Sequence, residues 1–264
     1  MRNNWTRDEL LLAFNLYCKI HYGQFNNRNK EVIALAHLIN RTSGAVAYKL
    51  VNFVSLDPTH QLLGRKGAKN IGKLDKVVFE EFQKNFDKLF LESELLLQQK
   101  IQEENNGTFI ESEVFITDKS DFEVDTSRIG EYRIRETKVR INQNYFRKLV
   151  MSNYTNGCCI TQITIPELLV ASHIKPWSQD IENRLNPANG LCLSATFDKA
   201  FDKGLVSIDS EYNVIFSSKL RKFTNEPFYQ TEFKRFEGIK IHLPVKFLPD
   251  LNLLKFHREN IFQN

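Results

Sequence analysis

Cysteine is scarce in this chain: four residues in 264, Cys18, Cys158, Cys159 and Cys192, with no CxxC spacing among them. A cysteine-held structural zinc cluster is therefore not expected, and buried free thiols are. Long apolar runs are missing too. No stretch approaches the roughly 18 to 20 residues that a membrane-spanning helix needs. The opening MRNNWTRDELLL has no apolar run of signal-peptide length ending in a small-residue cleavage site. These absences point to a soluble, cytoplasmic protein with no membrane partner. Internal repeats and low-complexity tracts are absent as well, which leaves one large domain or two modest ones.

What the chain does have is an ordinary apolar fraction, 42%, with 21 phenylalanines; this argues against global disorder and predicts aromatic-rich cores. Its net charge of +4 hides a partition. Residues 1–70 carry ten Lys/Arg against four Asp/Glu, residues 71–126 six against fourteen, and residues 127–264 twenty against fourteen. Two basic segments flank an acidic one. A polyanion such as DNA is attracted to both ends and repelled by the middle, because phosphate neutralisation dominates non-specific affinity. A modest charge surplus also serves solubility alone.

Residues 1–70 read as three helices. Thr6 is an N-cap with Glu9 completing a capping box, and Leu10, Leu11, Phe14, Tyr17 and Cys18 form an apolar face. Val32, Ile33, Leu35, Ala36 and Ile39 line the second helix; Thr42 or Ser43 caps a third with Val46, Leu50 and Phe53 inward. The short connection NRTSG followed by AVAYKL resembles a helix-turn-helix. In that reading Ser43, Ala47, Tyr48, Lys49 and Asn52 face outward, and Lys49 and Asn52 contact phosphates or base edges. A three-helix bundle without a nucleic-acid role has the same pattern. The segment GRKGAK, Gly64 to Lys69, is either a compact basic loop whose glycines let amides approach a phosphate or a solvated connection. Leu74 to Gln102 carries Val78, Phe82, Phe86, Leu89, Phe90 and Leu96 and predicts one long helix, covering a second copy of the chain or its own catalytic domain. Asn105 to Asp125 is acidic and reads as a linker.

The stretch Leu168 to Gly204, LLVASHIKPWSQDIENRLNPANGLCLSATFDKAFDKG, carries the chemistry. Leu168 to Ala171 reads as a short buried strand running into Ser172 and His173. Pro176 and Pro187 keep the following segment out of helix. Leu191 to Leu193 resumes an apolar run, and Ala195 to Phe201 has helical spacing. Asp198 and Asp202 are four apart, so on a helix their carboxylates share a face. A histidine facing two such carboxylates can form a metal-assisted hydrolytic site, with hard oxygen donors for the cation and an imidazole to accept a proton from water. Upstream, a helix is expected at Gln143 to Tyr154, with Phe146, Leu149 and Val150 inward and Arg147 and Lys148 beside them. With Arg140 just before the helix, these two would grip a phosphate backbone or form a solvated face.

This segment resembles the ββα-metal motif of HNH endonucleases, in the branch found in bacterial restriction-type proteins. The likeness runs from about Asn142 to Ile208 and rests on ASHIKPW, NPANGLCL and DKAFDKG. It implies a β-hairpin followed by a helix, with His173 ending the first strand as general base and Asn189 pinning the loop. It also implies metal ligands at Asp198 and Asp202, with Ser172 as a weaker donor. The wider family often has Asp or His before the base and usually His at the position of Asp198. The residues here imply an oxygen-rich site for one divalent ion, magnesium or manganese. Lys175 or Arg184 would clamp a neighbouring phosphate. The likeness further makes CCIT, Cys158 to Thr161, a strand, and many relatives have glycine where this chain has Gln162. Of the remaining histidines, His257 lies on a C-terminal helix, either near the site or packed in a core. VSID, YNVIFS and IKIHLPV between Val206 and Pro249 predict strands that extend the nuclease core.

The expected fold class is α+β. A three-helix, helix-turn-helix-like domain occupies residues 1–70, an acidic helical linker residues 71–126, and a ββα-metal nuclease domain with extra strands residues 127–264. The resemblance implies a metal-dependent endonuclease acting on double-stranded DNA in restriction or anti-phage defence, with dependence on base modification left open. A homodimer would let two single-strand sites cut both strands. Two other readings stand beside it: a non-catalytic DNA-binding regulator with a decayed HNH domain, which Ser172 and Asp198 favour, and an RNase or toxin-like nuclease.

Overall fold

The computed structural model describes residues 4–104 and 131–264, with the side chains of 131–141 excepted. The chain divides into two compact units, Met1–Asn144 and Tyr145–Asn264. The expected linker Asn105 to Asp125 lies outside the described residues.

The N-terminal unit is built around α1 (Arg7–Lys19), in which every residue from Leu10 onward is buried. A helix enclosed on all sides needs apolar residues all round, and LLLAFNLYC supplies them. Its start is fixed by the expected capping box between Thr6 and Glu9. Around it stand α2 (Lys30–Leu38, capped by Asn29), α3 (Ser43–Leu56, capped by Thr42), the short α4 (Pro58–Leu62), α5 (Lys73–Lys84) and α6 (Phe86–Glu104). The expected single helix over 74–102 breaks at Asn85, whose φ −142° and ψ 57° leave the helical region. The break turns the aromatic stripe around α1. Phe14 meets Phe53, Phe79 and Phe82 at centroid distances of 4.9, 5.6 and 4.2 Å. Residues 73–104 thus pack with the first three helices, which corrects the reading of a separate acidic linker. Their acids are partly internal: Glu94 is buried, paired with Lys19 and accepting from Asn15.

That packing also corrects the outward face assigned to α3. Asn52 is 2% exposed and donates to Asp75 Oδ2 at 2.7 Å; Lys49 Nζ reaches both oxygens of Asp75 at 2.8 and 2.9 Å. Ala47 is buried as well, while Tyr48 remains exposed. A buried carboxylate requires a cation and donors, and α5 delivers one to Lys49 and Asn52, the groups expected to face DNA.

In the C-terminal unit, α7 (Glu131–Asn153) contributes its last turns. CCIT is not a strand; it forms a tight reversal in which Cys158 N donates to Ile163 O and Cys159 N to Cys192 O. Gln162 sits there at φ +61°, the left-handed region that a glycine occupies freely. Next come β1 (Leu169–His173) and β2 (Gly190–Ser194), antiparallel, with His173 opposite Gly190 and Leu169 opposite Ser194. The helix α8 (Ala195–Asp202) follows without a linker and packs on both strands. A second hairpin, β3 (Val206–Ile208) with β4 (Val214–Phe216), is a separate sheet. Beyond it, IKIHLPV adds only a bridge between Asn213 and Lys240 among the described residues. Helices α9 (Ser218–Arg221) and α10 (Leu251–Asn260) complete the unit. All four cysteines are free and buried.

Candidate active site

The sheet face toward α7 is decided by Gly190. A Cβ there would lie 2.4 Å from Val150 Cγ2 and 3.0 Å from Phe146 Cζ, so only glycine lets the helix approach. Directly opposite Gly190, and therefore on the same face, is His173. Its imidazole stacks on Phe146 at 3.6 Å and 12°, and Trp177 stands edge-on at 5.5 Å. The ring is half-buried, and Nε2 lies 3.0 Å from the backbone oxygen of Arg184. A carbonyl only accepts, so Nε2 carries the proton and the lone pair belongs to Nδ1. Burial holds the imidazole pKa below its ordinary value and the Arg184 charge adds to this, while the bond to the Arg184 carbonyl and the charge of Asp180 oppose it. The outcome is a neutral ring of fixed tautomer with a basic nitrogen at Nδ1.

Asn189 holds the intervening loop closed. It is fully buried; Oδ1 accepts from Lys175 N at 2.9 Å, and Nδ2 donates to Lys175 O at 3.2 Å and Asn183 O at 3.1 Å. One side chain thus closes both ends of a loop that leaves β1 and returns to β2. Asn189 acts on His173 through that loop, whose Arg184 carbonyl orients the ring.

Asp198 and Asp202 lie one turn apart on α8. The Asp202 carboxyl pKa is raised, first by partial burial and then by the charge of Asp198, so the two carboxylates repel each other. Ser172, next to His173, points to the opposite sheet face by strand alternation. Its buried Oγ has no hydrogen-bond partner. Two crowded carboxylates are hard oxygen donors, which fits a divalent cation, whereas Ser172, expected as a further ligand, is buried on the face away from His173. The expected convergence of imidazole and both carboxylates is not seen: His173 is enclosed by Phe146, Trp177 and the Arg184 carbonyl. Among the described residues, no three His, Cys, Asp or Glu side chains come together as a metal cluster.

Residues 158–209 match the family model for HNH endonuclease. This segment is similar to an HNH endonuclease domain. The match begins at the Cys158 reversal and ends just after β3, so it contains the hairpin, the loop and α8. No curated protein matches the chain.

The basic residues expected around the HNH domain are mostly engaged within it. Arg147 donates to Leu169 O at 2.7 Å and Pro166 O at 3.1 Å, steadying the entry to β1 instead of facing phosphate. Lys175 pairs with Asp180 at 3.6 Å and lies over Phe256. Arg184 donates Nε to Trp177 O at 3.1 Å and covers the Trp177 ring. Lys148 is half-buried on α7, and the Arg140 side chain lies outside the described residues. His257 is a core residue: Nδ1 meets Ser207 Oγ at 2.8 Å, Nε2 meets Phe201 O at 3.1 Å, and the ring stacks on Phe201.

Sequence reasoning missed the aromatic clamp of Phe146 and Trp177 and the buried Asp180, which accepts from Asn183 at 3.1 Å. Trp177 was visible in the KPW run of the motif. Phe146 was visible only as one apolar position on a helix.

Proposed function

We propose that this protein is a metal-dependent DNA endonuclease whose general base is His173, serving restriction or anti-phage defence. The observation that carries the reading is the 3.0 Å contact between His173 Nε2 and the Arg184 carbonyl, which in a neutral imidazole fixes Nε2–H and leaves the lone pair at Nδ1. That nitrogen takes a proton from the attacking water, and the water oxygen then adds to phosphorus in line with the departing 3′ oxygen. Phe146 excludes water from one ring face, and together with Trp177 it hinders the ring from turning. Asn189 keeps the loop, and hence the Arg184 carbonyl, in register. Asp198 and Asp202 would hold one divalent ion, magnesium or manganese. Such an ion supplies stabilisation of the negative charge that develops on phosphate.

The test is nicking of supercoiled plasmid in magnesium or manganese, wild type against His173→Ala. General-base catalysis contributes about 10²- to 10⁴-fold, so the variant is expected to lose activity on that scale while keeping its fold. Equal nicking by the two proteins ends the proposal. The lack of a three-residue metal cluster among the described residues favours one second reading, a DNA-binding regulator with a decayed HNH domain. It calls for salt-dependent DNA binding with no cleavage in any divalent ion.

A further inference from the structure

The groups on α3 expected to meet DNA are locked on Asp75, yet a basic surface is built beside that helix from another part of the chain. After α4 the backbone runs back along α3. Ser55 Oγ donates to Ala68 O at 2.9 Å, and Ala68 N donates to Val51 O at 3.4 Å. Gly67 lies so close that a Cβ would sit 2.0 Å from Ser55 Oγ and 2.5 Å from Ser55 N. Farther along, Gly72 N donates to Asp75 Oδ2 at 3.1 Å, and Asp75 is itself bound by Lys49 and Asn52. The segment 65–76 is thus strapped to α3 at Gly67–Ala68 and again at Asp75, in place of the free solvated connection that GRKGAK also allowed.

The strap is one-signed at its surface. Lys66, Lys69, Lys73 and Lys76 are exposed, and none of them forms an ion pair among the described residues. The sole acid between Arg65 and Phe79 is Asp75, which is 1% exposed and neutralised by Lys49. Arg65 anchors the beginning of the strap, with its guanidinium over the Tyr22 ring at 4.6 Å. Four ammonium groups on a pinned backbone lose less freedom on meeting a polyanion than the same groups on a loose loop. Lysine is a compact point charge suited to phosphate and indifferent to base sequence.

We propose that this strap, carrying Lys66, Lys69, Lys73 and Lys76, is a binding site for the phosphate backbone of duplex DNA. The proposal rests on the reading of DNA as substrate and adds where the N-terminal unit holds it. It replaces Lys49 and Asn52, and it accounts for a basic N-terminal segment whose recognition-helix residues face inward.

The experiment measures binding of the full chain to a short fluorescent duplex in EDTA, so that no cleavage is read. The protein carrying Lys66→Gln, Lys69→Gln and Lys73→Gln is compared with wild type and with a control of equal charge loss, Lys84→Gln, Lys88→Gln and Lys222→Gln. Each phosphate contact contributes about 0.9 to the slope of log affinity against log salt. The strap variant should lose about 2 to 3 from that slope and at least roughly tenfold in affinity at moderate salt, with the control near wild type. An unchanged slope overturns the proposal, as does an equal loss in the control or the absence of DNA binding altogether. Plasmid nicking separates the two readings. If no divalent ion supports cutting but the strap variant alone loses binding, the endonuclease reading fails and the strap stands. If His173→Ala abolishes cutting while the strap variant binds normally, the strap fails and the nuclease stands.

Discussion

At His173 three contacts act on one ring, and they do different things. The Arg184 carbonyl selects the tautomer, Phe146 covers one face, and Trp177 blocks the edge. Covering a face removes water that would solvate the imidazolium, so it favours the neutral form. A base must be unprotonated to act, and a lowered pKa keeps it so into mildly acidic solution. The acidic limb of the cleavage profile is therefore expected below the ordinary histidine value of about 6.5. Phe146→Ala opens that face and should move the limb up toward 6.5 and lower the plateau several-fold. A pH–rate profile, with the His173 ring signal followed by NMR, checks this. An unshifted titration together with lost activity would make Phe146 a packing residue alone.

Among the elements, the hairpin and α7 depend on each other through Gly190. Gly190→Ala sets a methyl against Val150 and Phe146 at distances no packed core accepts, so helix and strand must part. The expected result is a loss of about 2 kcal/mol in denaturant unfolding, accompanied by reduced nicking because Phe146 moves off His173. Full activity with the stability loss would show that the stack is dispensable. This contact was out of reach of the sequence, since nothing in NGL says which helix lies against the glycine. What the sequence did carry were local signals: the Thr6 capping box, the strand into His173, and the i, i+4 aspartates of α8. Each is read within a few residues. Lys49 and Asn52 could not be read that way, because the carboxylate that claims them, Asp75, comes from a helix whose docking depends on aromatic packing around α1. Gln162 is a mixed case. Its place in a glycine-prone turn was visible, but its left-handed backbone was not, since the sequence alone gives no φ.

For the whole molecule, acid stability should be set more by a core histidine than by the proposed catalytic one. Burial lowers the His257 pKa to about 4, against about 6.5 in an unfolded chain. The unfolded state therefore takes up a proton first as pH falls. The contribution is fully present above about 6.5 and is lost progressively toward 4, with an upper value of about 3 kcal/mol. His173, also lowered, acts in the same direction. Asp202 acts oppositely, because its raised pKa lets the folded state bind a proton more readily, but it is exposed and its effect is small. The carboxylates of Glu9 and Asp209 are held below their ordinary range, so the stability they add is lost as pH falls through the ordinary carboxylate range and below. Between pH 7 and 4.5 the melting of the C-terminal unit should fall by roughly 10 °C. His257→Gln keeps a donor for the Phe201 carbonyl and cannot titrate. It should start from a lower melting temperature and show a clearly flatter dependence on pH. Parallel curves for wild type and variant would mean that another buried group sets the acid limit.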